Sequence, residues 1–353
     1  MRDVLIRQEG RTGRITLNRP AALNALTLEM IGAIDAALRD WARDDGIAML
    51  VIDAAGQRAF CAGGDLTQFH GSGADPAPGR AFWQQEYRLN ARLFHFPKPV
   101  ASFMQGHALG GGVGIGCHGS HRVVGAGTRI ALPECSIGLV PDVGSTLLLA
   151  QAPGRLGEYL GITGDRMAAA DALHCGFADY HIPEAAWPAL IAALCDSGDW
   201  TLIDAAHVPP GPSRLAGWQG DIDTAFGGET LGDIYRGLPP AQPPDLPPAL
   251  PPALAHALPL MARNAPLAMA CTVEFIHRVR MRPTIETALG LEYRYAHRAL
   301  AQGDFPEGIR AALIDRDGAP RWAHADWTRL PARDVLAMTL PLGPDALNLE
   351  DDG

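Results

Sequence analysis

Two glycine-rich segments have the composition that chemistry at a carbonyl group needs. Residues 106–116 are GHALGGGVGIG, and residues 60–65 are FCAGGD. Glycines before a helix let backbone N–H groups approach a ligand without side-chain obstruction, and the helix start adds partial positive charge. One N–H from each segment would form a two-donor oxyanion hole. The alternative is that both segments are only tight turns that require a positive φ, and the sequence leaves both interpretations open.

Three carboxylates have the placement of catalytic groups. Glu134 follows a predicted strand in ALPEC, and Asp142 lies eight residues later in VPDVGS, just before a predicted helix. The loop between them can bring both carboxylates to one cavity, where they would serve as general base, general acid or nucleophile. Glu86 stands mid-helix among aromatic residues in FWQQEYRLN. The alternatives are that Asp142 caps its helix, that Glu134 is solvated and that Glu86 faces solvent.

Two other classes of site match the sequence poorly. Residues 114–119 fit the dinucleotide pattern GxGxxG, with Glu134 twenty residues beyond Gly114, but Gly114 lies behind an earlier glycine run and is expected to be helical already. The three histidines between residues 107 and 121 lack the spacing of a zinc site. The sequence therefore predicts neither a nucleotide cofactor nor a metal.

Strands that alternate with helices are expected to position these residues. Apolar runs bounded by glycine or proline indicate buried strands, and apolar stripes at helical spacing indicate helices. The predicted strands are 3–8 and 13–18, which form a hairpin, then 47–54, 100–104 and 130–132, and the predicted helices are 27–43, 80–94, 145–151, 265–282 and 285–302. This alternation over residues 1–200 predicts the α/β (α+β) fold class.

The composition changes in the second half of the chain. Residues 239–252 (PPAQPPDLPPALPP) are too rich in proline for helix or strand and are interpreted as a surface linker with polyproline character. The predicted organisation is a core at residues 1–200, a proline-rich connecting region with short helices at 201–262 and a C-terminal helical region at 263–353.

Composition excludes several classes of protein. The 353-residue chain is 47% hydrophobic and only 19% charged, which excludes a mainly disordered chain. Its net charge of −10 speaks against nucleic acid or an anionic membrane surface as a partner, and no apolar stretch is long enough to span a bilayer. Six scattered cysteines without a CxxC pair predict reduced thiols and a cytoplasmic location.

Taken together, these motifs resemble the crotonase (enoyl-CoA hydratase/isomerase) superfamily. The segments that carry the resemblance are NRPAALNAL at 18–26, AFCAGGDL at 59–66, GHALGGGVG at 106–114, ALPECSIGLVPDVGST at 131–146 and ITGDRMAAADALHCGFADY at 162–180. Within the superfamily, EYRLN at 86–90, LEYRYAHRAL at 291–300 and DFPEGIRAALIDRDGAPRW at 304–322 are most similar to the 3-hydroxyisobutyryl-CoA hydrolases. The resemblance covers most of the chain and implies a core of ββα turns wound as a spiral, with a C-terminal helical addition.

The resemblance also implies roles for the candidate residues. In this family an acyl-CoA thioester lies across the fold with its carbonyl oxygen between two backbone amides. Matched by position, the amides of Ala62 and Gly111 would form the oxyanion hole, Glu134 and Asp142 would be the catalytic acids, and Glu86 would contact the substrate. CoA is then part of the substrate, no metal or redox cofactor is implied, and the oligomeric state stays open, a homo-oligomer included.

Two departures from the family pattern bear on the reaction. Hydratases of the family carry an acid after the glycines, where this chain has Gly114. Many relatives carry Lys where this chain has Ala21, which leaves Arg19 as a substitute that would contact the CoA phosphates. The expected activity is therefore hydrolysis of an acyl-CoA thioester, with 3-hydroxyisobutyryl-CoA of valine breakdown as the expected substrate. Glu134 would attack the thioester or activate a water. The alternatives are an enoyl-CoA hydratase or isomerase and a non-catalytic acyl-CoA-binding protein.

Overall fold

Two β-sheets form the base of the N-terminal half in the computed structural model, which describes residues 2–66, 75–238 and 250–349. The strands are β1 (Val4–Glu9), β2 (Thr12–Leu17), β3 (Met49–Ala54), β4 (Ala59–Cys61), β5 (Val100–Met104), β6 (His107–Leu109), β7 (His121–Val124), β8 (Arg129–Ala131) and β9 (Tyr180–His181). A six-stranded sheet has the order β1-β2-β3-β5-β7-β9, and a three-stranded sheet has the order β4-β6-β8. The β1–β2 hairpin is antiparallel, and the other neighbouring strands run parallel.

Helices cover these sheets and build the C-terminal half. They are α1 (Leu28–Ala42), α2 (Ala77–Phe94), α3 (Gly111–Gly116), α4 (Ser145–Gln151), α5 (Leu156–Thr163), α6 (Ala169–His174), α7 (Trp187–Ser197), α8 (Thr201–Ala206), α9 (Arg214–Ala225), α10 (Leu231–Gly237), α11 (Pro252–Met261), α12 (Pro266–Met281), α13 (Ile285–Gln302), α14 (Phe305–Ile309) and α15 (Ala332–Thr339). The parallel strands require such crossover helices, and the predicted α/β fold with helices added at the C-terminus is confirmed.

The strongly patterned elements lie where the sequence places them. The hairpin, β5, α4 and α13 are confirmed, the last three at their predicted ends. Thr27 caps α1 as expected, because its side chain accepts a hydrogen bond from the Met30 N–H at 3.2 Å. Of the small sheet only β8 was predicted, at residues 130–132, whereas β4 and β6 were missed because both are three residues long and adjoin glycines that indicate bends. A strand of three residues is too short to show alternation.

The C-terminal helices close over the region where the small sheet ends. Helix α13 packs against α2 and α4, and α12 packs against α4 and α5. The Tyr295 hydroxyl on α13 donates to the Gly138 carbonyl at 3.0 Å, and the rings of Trp83 and Phe305 lie 5.5 Å apart between centroids. Side chains of the last third of the chain are thereby brought to the loop that follows β8 and to α2.

One predicted segment lies mostly outside the described residues, and one predicted helix begins earlier than expected. The proline-rich linker at 239–252 lies outside them up to residue 249, and α11 begins at Pro252. The helix expected from residue 80 begins earlier, at Ala77. The proposed division into three regions stays a prediction.

Candidate active site

One cavity of about 180 Å³ brings all five predicted site residues together. Its wall includes Ala62, Glu86, Gly111, Glu134 and Asp142, which come from four separate segments of the chain. It lies where β4 and β6 of the small sheet end, under the side of α2 that carries aromatic residues. The sequence motifs therefore converge in space, although they span more than fifty residues of chain.

Two backbone N–H groups converge on this cavity. A Cβ atom placed on Gly111, the first residue of α3, would lie 3.2 Å from the Gly64 nitrogen. A Cβ on Gly63, which has a φ of +103°, would lie 3.6 Å from the Gly111 nitrogen. Gly111 is a first-turn residue, so its N–H has no intrahelical acceptor. The amides of Gly64 and Gly111 are therefore the pair that fits an oxyanion hole.

The predicted role of the Ala62 amide is wrong. The Ala62 N–H donates to the Leu23 carbonyl at 3.0 Å and is unavailable to a ligand. The Gly64 N–H has no acceptor among the residues that the structure describes. The cause is tertiary, because the segment after β1 and β2 turns back and its carbonyl occupies the Ala62 donor. The second glycine of CAGGD is the only local hint that a different amide faces the cavity.

Glu134 lies at the start of a short 3-10 turn, Glu134–Ile137, directly after Pro133. Its side chain is buried, and its Oε2 atom has no hydrogen-bond partner within the described part of the chain. A Cβ on Gly110 would come within 2.5 Å of its Oε1 atom, so the glycine run is what lets the carboxyl group approach the start of α3. The solvated alternative for Glu134 is excluded by this burial.

Asp142 does not cap the helix that follows it. The backbone N–H groups of Gly144 and Thr146 at the start of α4 donate instead to the carboxylate of Glu292, at 2.7 and 2.9 Å. The Asp142 side chain is buried and accepts a hydrogen bond from the Tyr87 hydroxyl at 2.9 Å. Glu292 thus leaves Asp142 free to face the cavity.

Glu86 faces inward from the middle of α2. It is 3% exposed, and its Oε1 atom lacks a partner among the described residues. A Cβ on Gly111 would lie 2.6 Å from that oxygen, which places the Glu86 carboxyl group beside the proposed oxyanion hole. The alternative of a solvent-facing Glu86 is wrong.

Burial shapes the protonation of the three acids. It raises the pKa of Asp142 to about 7, against the hydrogen bond from Tyr87 that favours the charged form. Burial, and next the charge of Asp142, raise the pKa values of Glu86 and Glu134 well above the usual range. Asp142 can therefore exchange a proton near neutral pH, as acid–base catalysis requires.

The dinucleotide hypothesis is not supported by the geometry. Gly114 lies inside α3, as expected, rather than in the turn that follows a strand. A Cβ on Gly114 would lie 2.6 Å from the Asn90 Nδ2 atom and 2.8 Å from the Val143 Cβ atom, so this glycine serves close packing of α3. Within the described ranges no group of three or more His, Cys, Asp or Glu side chains is arranged to hold a metal ion, and no helix is long and apolar enough to cross a bilayer.

A larger cavity of about 620 Å³ adjoins the first and shares Leu109, Pro133 and Ser136 with it. Arg166 and Arg263 lie in its wall, and neither was predicted as a site residue. Arg166 could have been noticed because it belongs to the ITGDRM motif. The sequence around Arg263 gives no sign of a role in binding.

The expected substitute cation, Arg19, is held within the protein. Its guanidinium donates to the Ala25 carbonyl at 2.7 Å and to Asp65 at 3.0 Å, and it forms an ion pair with Asp3 at 3.2 Å. These bonds make Arg19 a weaker candidate for CoA phosphates than the two arginines of the larger cavity.

Known proteins resemble this chain over nearly its whole length. Residues 12–339 match the family model described as enoyl-CoA hydratase/isomerase. The crystal structure of an enoyl-CoA hydratase from Rhodobacter sphaeroides has a TM-score of 0.92 at 51% identity and covers 98% of this chain and 100% of that one. A carnitinyl-CoA dehydratase from Mycobacterium thermoresistibile has a TM-score of 0.91 at 38% identity, with 100% of both chains covered. The mitochondrial 3-hydroxyisobutyryl-CoA hydrolase of Danio rerio is 33% identical over 332 residues, which are 91% of this chain and 85% of that protein.

Proposed function

The chain belongs to the enoyl-CoA hydratase/isomerase family, and from this premise we propose that it hydrolyses an acyl-CoA thioester, with 3-hydroxyisobutyryl-CoA as the substrate. The observation that carries the proposal is the cavity in which two convergent amides face buried carboxyl groups. The name of the Danio rerio relative supports the choice of acyl group.

Thioester hydrolysis needs an oxyanion hole and a group that moves protons at the carbonyl carbon. In the proposed reaction a water oxygen bonds to that carbon, and the carbonyl oxygen becomes an oxyanion held by the N–H groups of Gly64 and Gly111. The carboxylate of the Glu134–Asp142 pair takes the proton from the water. Collapse breaks the C–S bond, the proton passes to the departing thiolate, and the products are a carboxylic acid and free CoA.

A covalent route through Glu134 uses the same residues. The Glu134 carboxylate would bond to the carbonyl carbon and expel the thiolate, which takes up a proton from the pair. Water would then open the resulting anhydride and restore the carboxylate. Both routes require Glu134 to be ionised at the moment of attack, and both use Asp142 as the second proton carrier.

The remaining parts of the substrate have candidate partners in the two cavities. Glu86, with an oxygen that has no partner in the described residues, would accept a hydrogen bond from the 3-hydroxyl group. The larger cavity would take the CoA moiety, and Arg166 and Arg263 would meet its phosphates. Arginine suits phosphate because its planar guanidinium donates in pairs.

The second candidate function is hydration of an enoyl-CoA. It is favoured by the name of the Rhodobacter sphaeroides protein, which is 51% identical to this chain. The observation against it is Gly114, where packing against Asn90 and Val143 leaves no room for an acid beside Glu134. A non-catalytic acyl-CoA-binding protein is the third alternative, and three buried acids in one cavity speak against it.

A panel of acyl-CoA esters tests these alternatives directly. The protein should release free thiol from 3-hydroxyisobutyryl-CoA, more slowly from acetyl-CoA, and should barely hydrate crotonyl-CoA. Efficient hydration of crotonyl-CoA without thiol release would establish the second candidate. Binding of all esters with no reaction would establish the third. The cytoplasmic location, the role in valine breakdown, the lack of a metal or redox cofactor and the oligomeric state stay predictions.

A further inference from the structure

The turn that carries Asp142 has an unusual backbone. Val143, directly after Asp142, has a φ of +56°, and Gly144 has a φ of +80°. Glycine adopts this left-handed conformation easily, whereas a β-branched residue does so only when its surroundings force it. Val143 is also buried, with 1% of its surface exposed. Something outside the turn must therefore hold it in this conformation.

Glu292 supplies that restraint from a distant element. It lies on α13, is fully buried, and its two carboxylate oxygens accept the N–H groups of Gly144 and Thr146. These are the residues immediately after Val143 and at the start of α4. The turn is thus fixed to α13 by a side chain 148 positions away from Gly144 along the sequence.

Two further contacts hold the same turn from other elements. The His118 Nε2 atom donates to the Val143 carbonyl at 2.7 Å, and the Tyr87 hydroxyl donates to the Asp142 side chain. Burial lowers the pKa of His118 to about 4, so the ring is neutral with its proton on Nε2. Glu292 differs from these two residues because it accepts two hydrogen bonds, both from backbone N–H groups that follow Val143.

We propose that Glu292 is a positioning residue, which holds the strained Val143–Gly144 turn and thereby keeps the Asp142 carboxylate in the catalytic cavity. This inference rests on the proposed function in so far as Asp142 takes part in catalysis. The Glu292 carboxylate is bound to the backbone at the start of α4, and Glu292 is not part of the cavity wall.

Glu292→Gln tests the proposal with almost no change of shape. Burial raises the pKa of Glu292 to about 8, but both carboxyl oxygens accept hydrogen bonds with or without a proton. The amide nitrogen of Gln cannot accept, so one of the two N–H groups loses its partner. We expect kcat for thiol release to fall at least tenfold, the KM to change less than threefold, and amide hydrogen exchange at residues 143–146 to become at least tenfold faster.

The matched control is Glu286→Gln on the same helix, where the carboxylate is exposed and contacts His95 and its own helix start. It should leave kcat and exchange at residues 143–146 unchanged. Normal exchange in Glu292→Gln would overturn the positioning role, whatever the activity. Faster exchange with a normal kcat would show that the turn does not affect catalysis, and it would overturn the claim that Glu292 keeps Asp142 in place for the reaction. A wild-type protein without thiol release would instead refute the proposed function, and the exchange experiment would still decide whether Glu292 holds the turn.

Val143→Gly supplies the second test, because glycine removes the strain that Glu292 is proposed to restrain. The double variant should have a kcat at least threefold higher than Glu292→Gln alone, which restores part of the loss. If the two substitutions instead lower kcat multiplicatively, strain is not what Glu292 opposes and the proposal fails. Should Glu292→Gln not fold, Glu292→Asp takes its place, because the shorter carboxylate reaches only one of the two N–H groups.

Discussion

At the scale of single residues, Asp142 is the acid of the site whose ionised form is stabilised most. The Tyr87 hydroxyl donates to this carboxylate, whereas Glu86 and Glu134 each have an oxygen without a partner in the described chain. Burial raises all three pKa values, and Asp142 raises the other two further. Glu134 can therefore act as a base or nucleophile only after its proton has moved, and Asp142 is the adjacent acceptor.

The pH dependence of hydrolysis should report this coupling. We expect kcat/KM of the wild type to rise with pH through about 7, because the acid pair must lose a proton to act. Asp142→Asn should lower kcat more than it changes KM, because Glu134 loses the carboxylate that takes up its proton. Rates measured between pH 5 and 9 check both effects. A normal kcat in Asp142→Asn would remove Asp142 from the mechanism.

Glu134→Gln should keep the fold and lose most turnover. The amide cannot act as base or nucleophile, and loss of such a group costs on the order of 10²–10⁴ in rate. The variant should also melt at a higher temperature than the wild type at pH 8 and at the same temperature at pH 4. The raised pKa of Glu134 means that the folded state loses stability as ionisation sets in with rising pH. Thiol-release assays and thermal melts at the two pH values measure these effects, and near-normal kcat would contradict the assignment.

At the scale of elements, the start of α3 makes the oxyanion hole possible. Gly110 has a φ of +49°, which turns the chain from β6 into the helix and leaves the Gly111 N–H pointing away from the helix. The same glycines let Glu86 and Glu134 approach, because a side chain on Gly110 or Gly111 would collide with their carboxyl oxygens. One short element thus supplies a donor and the space for two acids.

Gly111→Pro and Gly111→Ala form a matched pair at this element. Both add a Cβ that meets Glu86, but only proline removes the N–H, and proline is tolerated at the first position of a helix. Gly111→Pro should be slower than Gly111→Ala by roughly 10²–10³, the usual cost of one oxyanion donor. The assay is kcat on the same thioester, with circular dichroism to show that both variants fold. Equal rates in the two variants would exclude the Gly111 amide.

At the scale of the whole molecule, the charge balance demands a local site for an anionic substrate. The chain has a net charge of −10, and CoA carries several phosphate charges of the same sign. The arginines in the larger cavity are the cations next to the proposed reaction site. At short distances, where salt screens charges least, these arginines would offset the repulsion between the negatively charged protein and the CoA phosphates.

Replacing Arg166 and Arg263 by Ala should therefore raise KM for acyl-CoA at least tenfold and leave kcat nearly unchanged. The same acyl group on pantetheine, which lacks the nucleotide phosphates, should show little change in KM. Arg333→Ala, at an exposed arginine outside that cavity, is the control and should affect neither substrate. An equal loss for both thioesters would show that the two arginines do not bind the phosphates.

Much of this arrangement is determined by the sequence alone, because it depends on local patterns. The apolar run of β5 and the stripe of α13 predict these elements to the residue, since burial on two faces or one face leaves a periodic signal. Gly111, Glu134 and Asp142 were found because each lies in a short motif of glycines or acids, and Glu86 was found because it stands among aromatic residues in a predicted helix.

Only the tertiary structure decided which of these groups are available and what holds them. Gly64 replaces Ala62 as a donor because the Leu23 carbonyl, far along the chain, occupies the Ala62 N–H. Glu292 frees Asp142 from a capping role by reaching α4 from α13. Hydrogen bonds between segments distant in sequence leave no mark on local composition, so the free donor and the free carboxylate become visible only when the chain is folded.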